Sequence, residues 1–411
     1  MKTKRVKRIC AGVALLIATL TILLSSCAEK PDMHVDTHQY KQNLSTQMLT
    51  EKAGYGDYIY FSNAIMYKYD KRTGVISRVC QDPECDGSRG SCPLDGFPAI
   101  LAGIVDNKLF FFSGIRKEPF DMTFCHAYYD LITNKVTIIR EGDFYDVGAE
   151  FAPVLTDEYV YYTYRTLRPG GDRENKEDYI RHVCRQKISG GEEELICQLN
   201  VETNERIIAA TEQYLITYSS PDIHKYDLST GAQEIIFDGK ANGEKSVGRF
   251  TLVDNWLYFL GSGNKRIESE YKKVTYGNRR LIRMNLENGA VEKLNEVIGR
   301  KYLIDGDKIY FAEDDIRYMY IPDDYETNPD GVKVMFHGDT LYSCDLDGNN
   351  VQAVIQFPDT DFGFAVINGF YFGTERKFNF ETHSWEKSHW VIGDLATGNL
   401  TVALWDELYI G

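Results

Sequence analysis

Dense apolar runs return seven times along the chain, and alternating strands follow each of them. The runs read Tyr58-Ile59-Tyr60-Phe61, Leu109-Phe110-Phe111-Phe112, Tyr159-Val160-Tyr161-Tyr162, Tyr214-Leu215-Ile216, Trp256-Leu257-Tyr258-Phe259, Ile309-Tyr310-Phe311 and Phe370-Tyr371-Phe372. Each is apolar on both faces, as a strand must be when layers cover it on two sides. A second strand then ends in Asp or Asn, a tight turn follows, and a third strand leaves it. The clearest turns are Asp70-Lys71-Arg72-Thr73-Gly74, Asp130-Leu131-Ile132-Thr133-Asn134, Asp227-Leu228-Ser229-Thr230-Gly231, Asn285-Leu286-Glu287-Asn288-Gly289, Asp345-Leu346-Asp347-Gly348 and Asp394-Leu395-Ala396-Thr397-Gly398. The third repeat uses Lys187-Ile188-Ser189-Gly190-Gly191 instead. Asp or Asn accepts backbone N–H groups just ahead of it, and Gly or Asn takes the left-handed conformation that closes the hairpin.

Helical periodicity is hard to find after Leu24, so the chain reads as all-β. Recurrence at about 40–60 residues is the mark of a propeller or array. A fourth strand fits between repeats, as in Ile100-Leu101-Ala102-Gly103-Ile104-Val105. The expectation is a β-propeller of four-stranded blades. Seven is the count, although run spacings of about 42 to 61 residues admit six or eight. Radial repetition buries both faces of the middle strands and leaves only short edges.

Composition agrees with this reading. Hydrophobic content of 43% argues against disorder, and 28 Tyr with 21 Phe favour half-buried strands.

The N-terminus adds a compartment. Met1-Lys2-Thr3-Lys4-Arg5-Val6-Lys7-Arg8 carries five cations and no anion, and a largely apolar run of 16 residues follows from Ile9 to Leu24. That is a positive n-region and an h-region. Leu24-Ser25-Ser26-Cys27 then resembles the lipobox of bacterial lipoproteins, which implies cleavage before Cys27 and diacylglyceration of its thiol. Two acyl chains anchor a protein stably where one does not. The expected organisation is a lipoprotein signal peptide at 1–26, a polar tether at 27–50 and a propeller at 51–411. The end of the tether is a candidate strand of the first blade. The mature chain would sit on the outer face of a cell membrane, held by its lipid.

Charge limits the partners. Removing the five cations of residues 1–26, which hold no acid, takes the formal net charge from −15 to −20. Such a chain is repelled by nucleic acid and by anionic lipid head groups. A protein or glycan ligand and a monomeric chain are expected, and no cofactor.

The repeat grammar resembles the pyrroloquinoline-quinone-like and TolB-like propellers, whose repeats also read aromatic strand, Asp, Thr-Gly, strand. With the lipobox and the abundant Tyr, the chain is similar to a family of propeller lipoproteins from clostridia and related Gram-positive bacteria. The resemblance implies shape and compartment, not a reaction. The repeats lack the Trp-rich consensus of the quinone enzymes, so that cofactor is not carried over.

Candidate chemistry is sparse. Cys80, Cys85 and Cys92 lie in a Gly/Pro/Asp loop leaving the first repeat, and they read as a disulfide, a metal loop or separate thiols. A structural zinc needs four ligands, and Cys125-His126 is the nearest further source. A two-residue turn at Gly190-Gly191 would set Cys184 opposite Cys197 as a cross-strand pair, bridged or as two thiols. Asp345-Leu346-Asp347-Gly348-Asn349-Asn350 looks like a calcium loop, yet strands flank it and its twelfth residue is Gln356, so a turn is the better reading. The eight His scatter, and no HExxH, GxSxG or P-loop is present. Insertions from Arg165 to Arg181 and from Asp314 to Gly338 are candidate working surfaces. A binding or scaffold module is the leading expectation. The alternative is a polysaccharide- or peptide-cleaving enzyme with acids at the propeller channel.

Overall fold

The computed structural model describes residues 52–404 except 64, 81–93, 95–99, 119–120, 143–152, 174, 200–203, 269–274, 295–301, 313–315, 321–331, 337–339, 357–360, 377, 380–383 and 386–388. Within them the chain forms a seven-bladed β-propeller of four-stranded antiparallel sheets. The blades span residues 52–78, 100–142, 154–199, 206–237, 244–293, 302–356 and 361–404, numbered 1 to 7 here. Two further two-stranded hairpins, Ile316–Tyr320 with Val332–Phe336 and Phe378–Asn379 with Ser384–Trp385, branch from blades 6 and 7.

The aromatic run is the second strand of its blade, not the first. The strand that precedes it is the first, so Ile100–Val105 opens blade 2 rather than closing blade 1. The other opening strands are Lys52–Tyr55, Val154–Leu155, Arg206–Ala210, Glu244–Val253, Tyr302–Asp305 and Asp361–Ile367. The physical reason is burial. The second strand has neighbours on both edges and both faces, so it carries the densest apolar run. Ile59, Phe61, Leu109, Phe111, Tyr161, Leu215, Leu257, Phe259, Ile309, Phe311 and Phe372 are all fully buried.

The turn chemistry forms as the residues dictate. Asp227 accepts the N–H groups of Ser229 at 2.9 Å and Thr230 at 2.8 Å, and Asp130 does the same for Ile132 and Thr133 at 2.9 and 2.8 Å. The Ser229 hydroxyl and these backbone donors hold the Asp227 carboxyl down at about 2. The turn closes on a left-handed residue, Gly in blade 4 (φ 72°) and Asn134 in blade 2 (φ 56°). Asp345 and Asp347 serve the same purpose: Asp347 accepts the N–H of Asn349 at 2.9 Å, and Lys308 holds Asp345 at 2.5 Å.

Apolar cores join most neighbouring blades. Blades 3 and 4 meet through Val154, Tyr161, Val183, Ala210 and Leu215, and blades 5 and 6 through Tyr258, Leu281, Tyr302 and Phe311. Blades 1, 6 and 7 share one cluster that includes Ile59, Phe61, Leu303, Leu341, Val366 and Phe372. Blade 1 and blade 7 are each built from one unbroken stretch of chain, so the ring closes through side chains rather than through a shared strand. Phe61 and Phe372 lie 4.6 Å apart, ring centre to ring centre, across that seam. Asp305 of blade 6 adds a polar clasp, accepting the N–H groups of Asn368 and Gly369 of blade 7 at 2.9 and 2.7 Å.

Candidate functional site

The antiparallel order sorts the connections onto two ends of the ring. Links from second to third strand occur at one end, and both long insertions lie there. The Arg165 to Arg181 insertion is a lengthened hairpin, with Arg165 directly opposite Arg181 and both side chains buried. Turns from first to second strand, with the Asp and Asn turns, occur at the other end.

That second end holds a cavity of about 710 Å³ between blades 3, 4 and 5. Its floor is Val154 and Leu155 of blade 3, Ala209 and Ala210 of blade 4 and Leu252 of blade 5. The opening strands of blades 2, 5 and 7 finish on branched pairs, Ile104-Val105, Leu252-Val253 and Val366-Ile367. The alanine pair removes that bulk, and the space it leaves forms part of the cavity. The rim comes from the turns. Thr156 and Thr211 each accept the N–H of the Tyr three residues on, Tyr159 at 3.0 Å and Tyr214 at 2.9 Å. Those bonds present Asp157, Glu158, Glu212 and Gln213 outward. Asp254, Asn255 and Glu287 complete the rim from blade 5, with Asn255 donating to Glu287 at 2.7 Å. Five carboxylates face the opening, and all five are solvent-exposed.

Lys225 is the single cation among the lining residues. Its ammonium lies 4.7 Å from the Tyr214 ring centre and 2.5 Å from Glu234. The same arrangement recurs in the neighbouring blades. Arg185 lies 4.3 Å over Tyr159 and 2.7 Å from Glu194, and Arg283 lies 4.4 Å over Trp256 and 2.8 Å from Glu292. In each case the cation on the third strand spans the aromatic that opens the second strand and an acid on the outer strand. These triads escape a reading by spacing, because their members are brought together by sheet register.

The sequence-predicted cysteines are dispersed. Cys27, Cys85 and Cys92 lie outside the described residues, while Cys80 is half-buried just past the outer strand of blade 1. Cys184 and Cys197 do not face each other. The link between the third and outer strands sets Cys184 opposite Leu195, and a bulge beyond it, between Val183 and Cys184, then puts Cys197 opposite Val183. Cys184 packs into the core between blades 2 and 3, and Cys197 packs against the core between blades 3 and 4. Both are free thiols, and burial pushes each up to about 12. Cys125 is buried and likewise pushed up to about 12, by desolvation and by Glu141. His126 is fully buried at the joint of blades 2 and 3, between Phe112 and Tyr162 at 5.3 and 5.2 Å. Among the described residues, no three His, Cys, Asp or Glu side chains gather as metal ligands would. No helix among them is long and apolar enough to cross a membrane.

No protein-family model matches the chain, and no curated protein matches it. Solved structures do. A protein from a study of two prolyl endopeptidases is similar at 10% identity with a TM-score of 0.51, over 95% of this chain and 54% of that one. This chain therefore spans about half the length of that relative. TolB from Acinetobacter baumannii is similar at 15% identity and a TM-score of 0.34, over 72% of this chain and 69% of that one. The β-propeller domain of the Trilobed protease from Pyrococcus furiosus is similar at 13% identity and a TM-score of 0.43, over 74% of this chain and 84% of that one. At these identities the likeness shows the propeller fold alone.

Proposed function

We propose that this chain is a lipid-anchored, extracytoplasmic binding module that takes a cationic group of a protein ligand into the cavity of blades 3 to 5. The observation that carries the reading is the pairing of an apolar floor, opened by Ala209 and Ala210, with a rim of five carboxylates. A pocket of this kind suits an aliphatic stem ending in a positive charge. A lysine or arginine side chain has that form, with an apolar body and a charged tip. The surplus of acid across the whole chain steers such a partner toward the surface.

Anchoring rests on the sequence. Lys2 to Arg8, the run to Leu24 and Leu24-Ser25-Ser26-Cys27 support lipidation at Cys27, and the tether at 27–50 would then hold the ring outside the membrane. The enzymatic alternative draws less support from the cavity. A carboxylic acid that must donate a proton is made by burial, which disfavours its charged form. Every rim carboxylate here is exposed.

Two measurements test this. Calorimetric titration of the intact ectodomain with lysine- and arginine-containing peptides should show binding that Ala210→Leu abolishes and Glu212→Gln weakens. Equal binding by Ala210→Leu refutes the cavity, and binding of neutral oligosaccharide in place of peptide redirects the ligand to a glycan. Mass spectrometry of membrane-associated protein should find a diacylglycerated N-terminal Cys27. A Cys27→Ser chain still cut and lipidated would end the anchoring proposal.

A further inference from the structure

The joint between blades 2 and 3 holds polar chemistry that the binding role does not use. His126 of blade 2 is completely buried. Its Nε2 lies 3.4 Å from the Thr163 carbonyl, and its Nδ1 has no hydrogen-bond partner. His182, on the third strand of blade 3, is half-buried beside Tyr164. That ring stacks on Tyr164 at 4.8 Å and meets the Thr166 hydroxyl at 2.8 Å, and its Nδ1 is also buried without a partner. The Arg140 guanidinium covers the other face of this group, 3.4 Å from the Tyr164 ring centre. Glu193 is held by Arg140 through both oxygens at 2.9 Å and by the Tyr162 hydroxyl at 2.5 Å.

The charge balance at the joint is therefore one guanidinium against one carboxylate while both imidazoles are neutral. Cys184, Tyr162 and Tyr164 also face the group, and burial moves all three upward, away from the acidic range. Lys108, at the edge of the same core, donates to the Ile188 carbonyl. Desolvation pushes Glu193 up, but its bonds from Tyr162 and Arg140 and the Arg140 charge together outweigh it and lower the group. Between neutral pH and about pH 4, the two histidines are the groups at this joint that gain positive charge.

We propose that this joint is an acid-sensitive hinge: protonating the fully buried His126, with the half-buried His182 at the seam's edge, adds positive charge to a joint that already holds Arg140, and blades 2 and 3 separate there before the rest of the ring loosens. Burial lowers the proton affinity of both rings, and His126 is depressed to about 4. The neutral forms fit the packed seam, whereas added imidazolium charge has only Glu193, already held by Arg140, to offset it. The hinge bears on the proposed ligand site, because Leu155 both packs in this seam and floors the cavity. That consequence rests on the binding reading; the hinge itself is tested without any ligand.

Hydrogen-exchange mass spectrometry of the intact chain at pH 7.0 and 4.5, corrected for intrinsic rates, reads the opening. Each pH unit below the ordinary histidine range favours a protonated open form by up to tenfold per ring. Exchange in Lys108–Glu118, Asp121–Asp130 and Tyr179–Lys187 should thus rise by at least about tenfold, while Tyr214–Ser219 stays protected. The His126→Gln, His182→Gln double variant should lose the rise. A uniform rise in all blades, or one that persists in that variant, overturns the proposal. Imidazole C2 exchange on the unmodified chain gives an independent answer if the variant does not fold. A His126 that titrates at the ordinary histidine value there also overturns it.

Discussion

Replacing Phe372 by alanine tests how the ring is held shut. Phe372 and Phe61 are both completely buried, and their centroids lie 4.6 Å apart at 48° across the seam of blades 7 and 1. Among the described residues no strand is shared there, and apolar contact links the two blades. Truncating a buried phenylalanine costs about 3–5 kcal/mol from lost transfer energy and the cavity left behind. Each single variant should lose about 4 kcal/mol. Tilted aromatic pairs are worth about 0.5–1.5 kcal/mol beyond their buried area. The double variant should therefore fall short of the summed losses by about 1 kcal/mol. Equilibrium urea unfolding at neutral pH, followed by tryptophan fluorescence, measures all four corners of the cycle. A control pair, Phe61 with Phe237 of blade 4, should add simply, because distant sites do. Additivity in the Phe61/Phe372 cycle as well would mean that blades 1 and 7 do not touch in solution, and the closure argument would fail.

Other expectations follow from the same interfaces. Glu244 is buried with Arg280 at 2.6 Å and has Lys293 only at 3.9 Å, so Arg280→Met should cost about 3 kcal/mol by leaving the carboxylate with that weaker partner, whereas Glu244→Gln should cost less; urea midpoints that rank the two the other way refute the pairing. Asp305→Ala strands the Asn368 and Gly369 amides and should cost about 1–3 kcal/mol, with faster amide exchange at that turn as the local sign. Because His126 is depressed from an ordinary 6.5 to about 4, the unfolded chain takes up the proton first, so stability is full above pH 6.5 and falls as pH drops toward 4, by about 3 kcal/mol in all. His126→Gln should flatten that slope, and an unchanged slope would assign it elsewhere. Cys125, Cys184 and Cys344 are buried thiols raised to about 12, 12 and 11, so a maleimide pulse at pH 8 without denaturant should leave them unlabelled.

What the sequence determined by itself is the repeating unit. Aromatic runs, Asp turns and Thr-Gly closures act over a few residues, and local chemistry is enough to specify strands, hairpins and their sevenfold recurrence. The phase of the blade was not legible, because an opening strand such as Val154–Leu155 is too short to announce which aromatic run it joins. The Cys184 and Cys197 pairing failed for a related reason: the link between the two strands sets Cys184 opposite Leu195 rather than Cys197, a bulge then turns Cys197 to the other face, and neither leaves a fixed mark in sequence. The cavity, the buried His126 and the three aromatic–cation–acid triads belong to the tertiary structure alone. Ala209-Ala210 reads as an ordinary strand end until blades 3 and 5 stand beside it, and Asp157, Glu212 and Asp254 are about 40 to 60 residues apart until the ring gathers them at one end. Local bonding writes the blade; the angle at which blades pack decides which residues share a site.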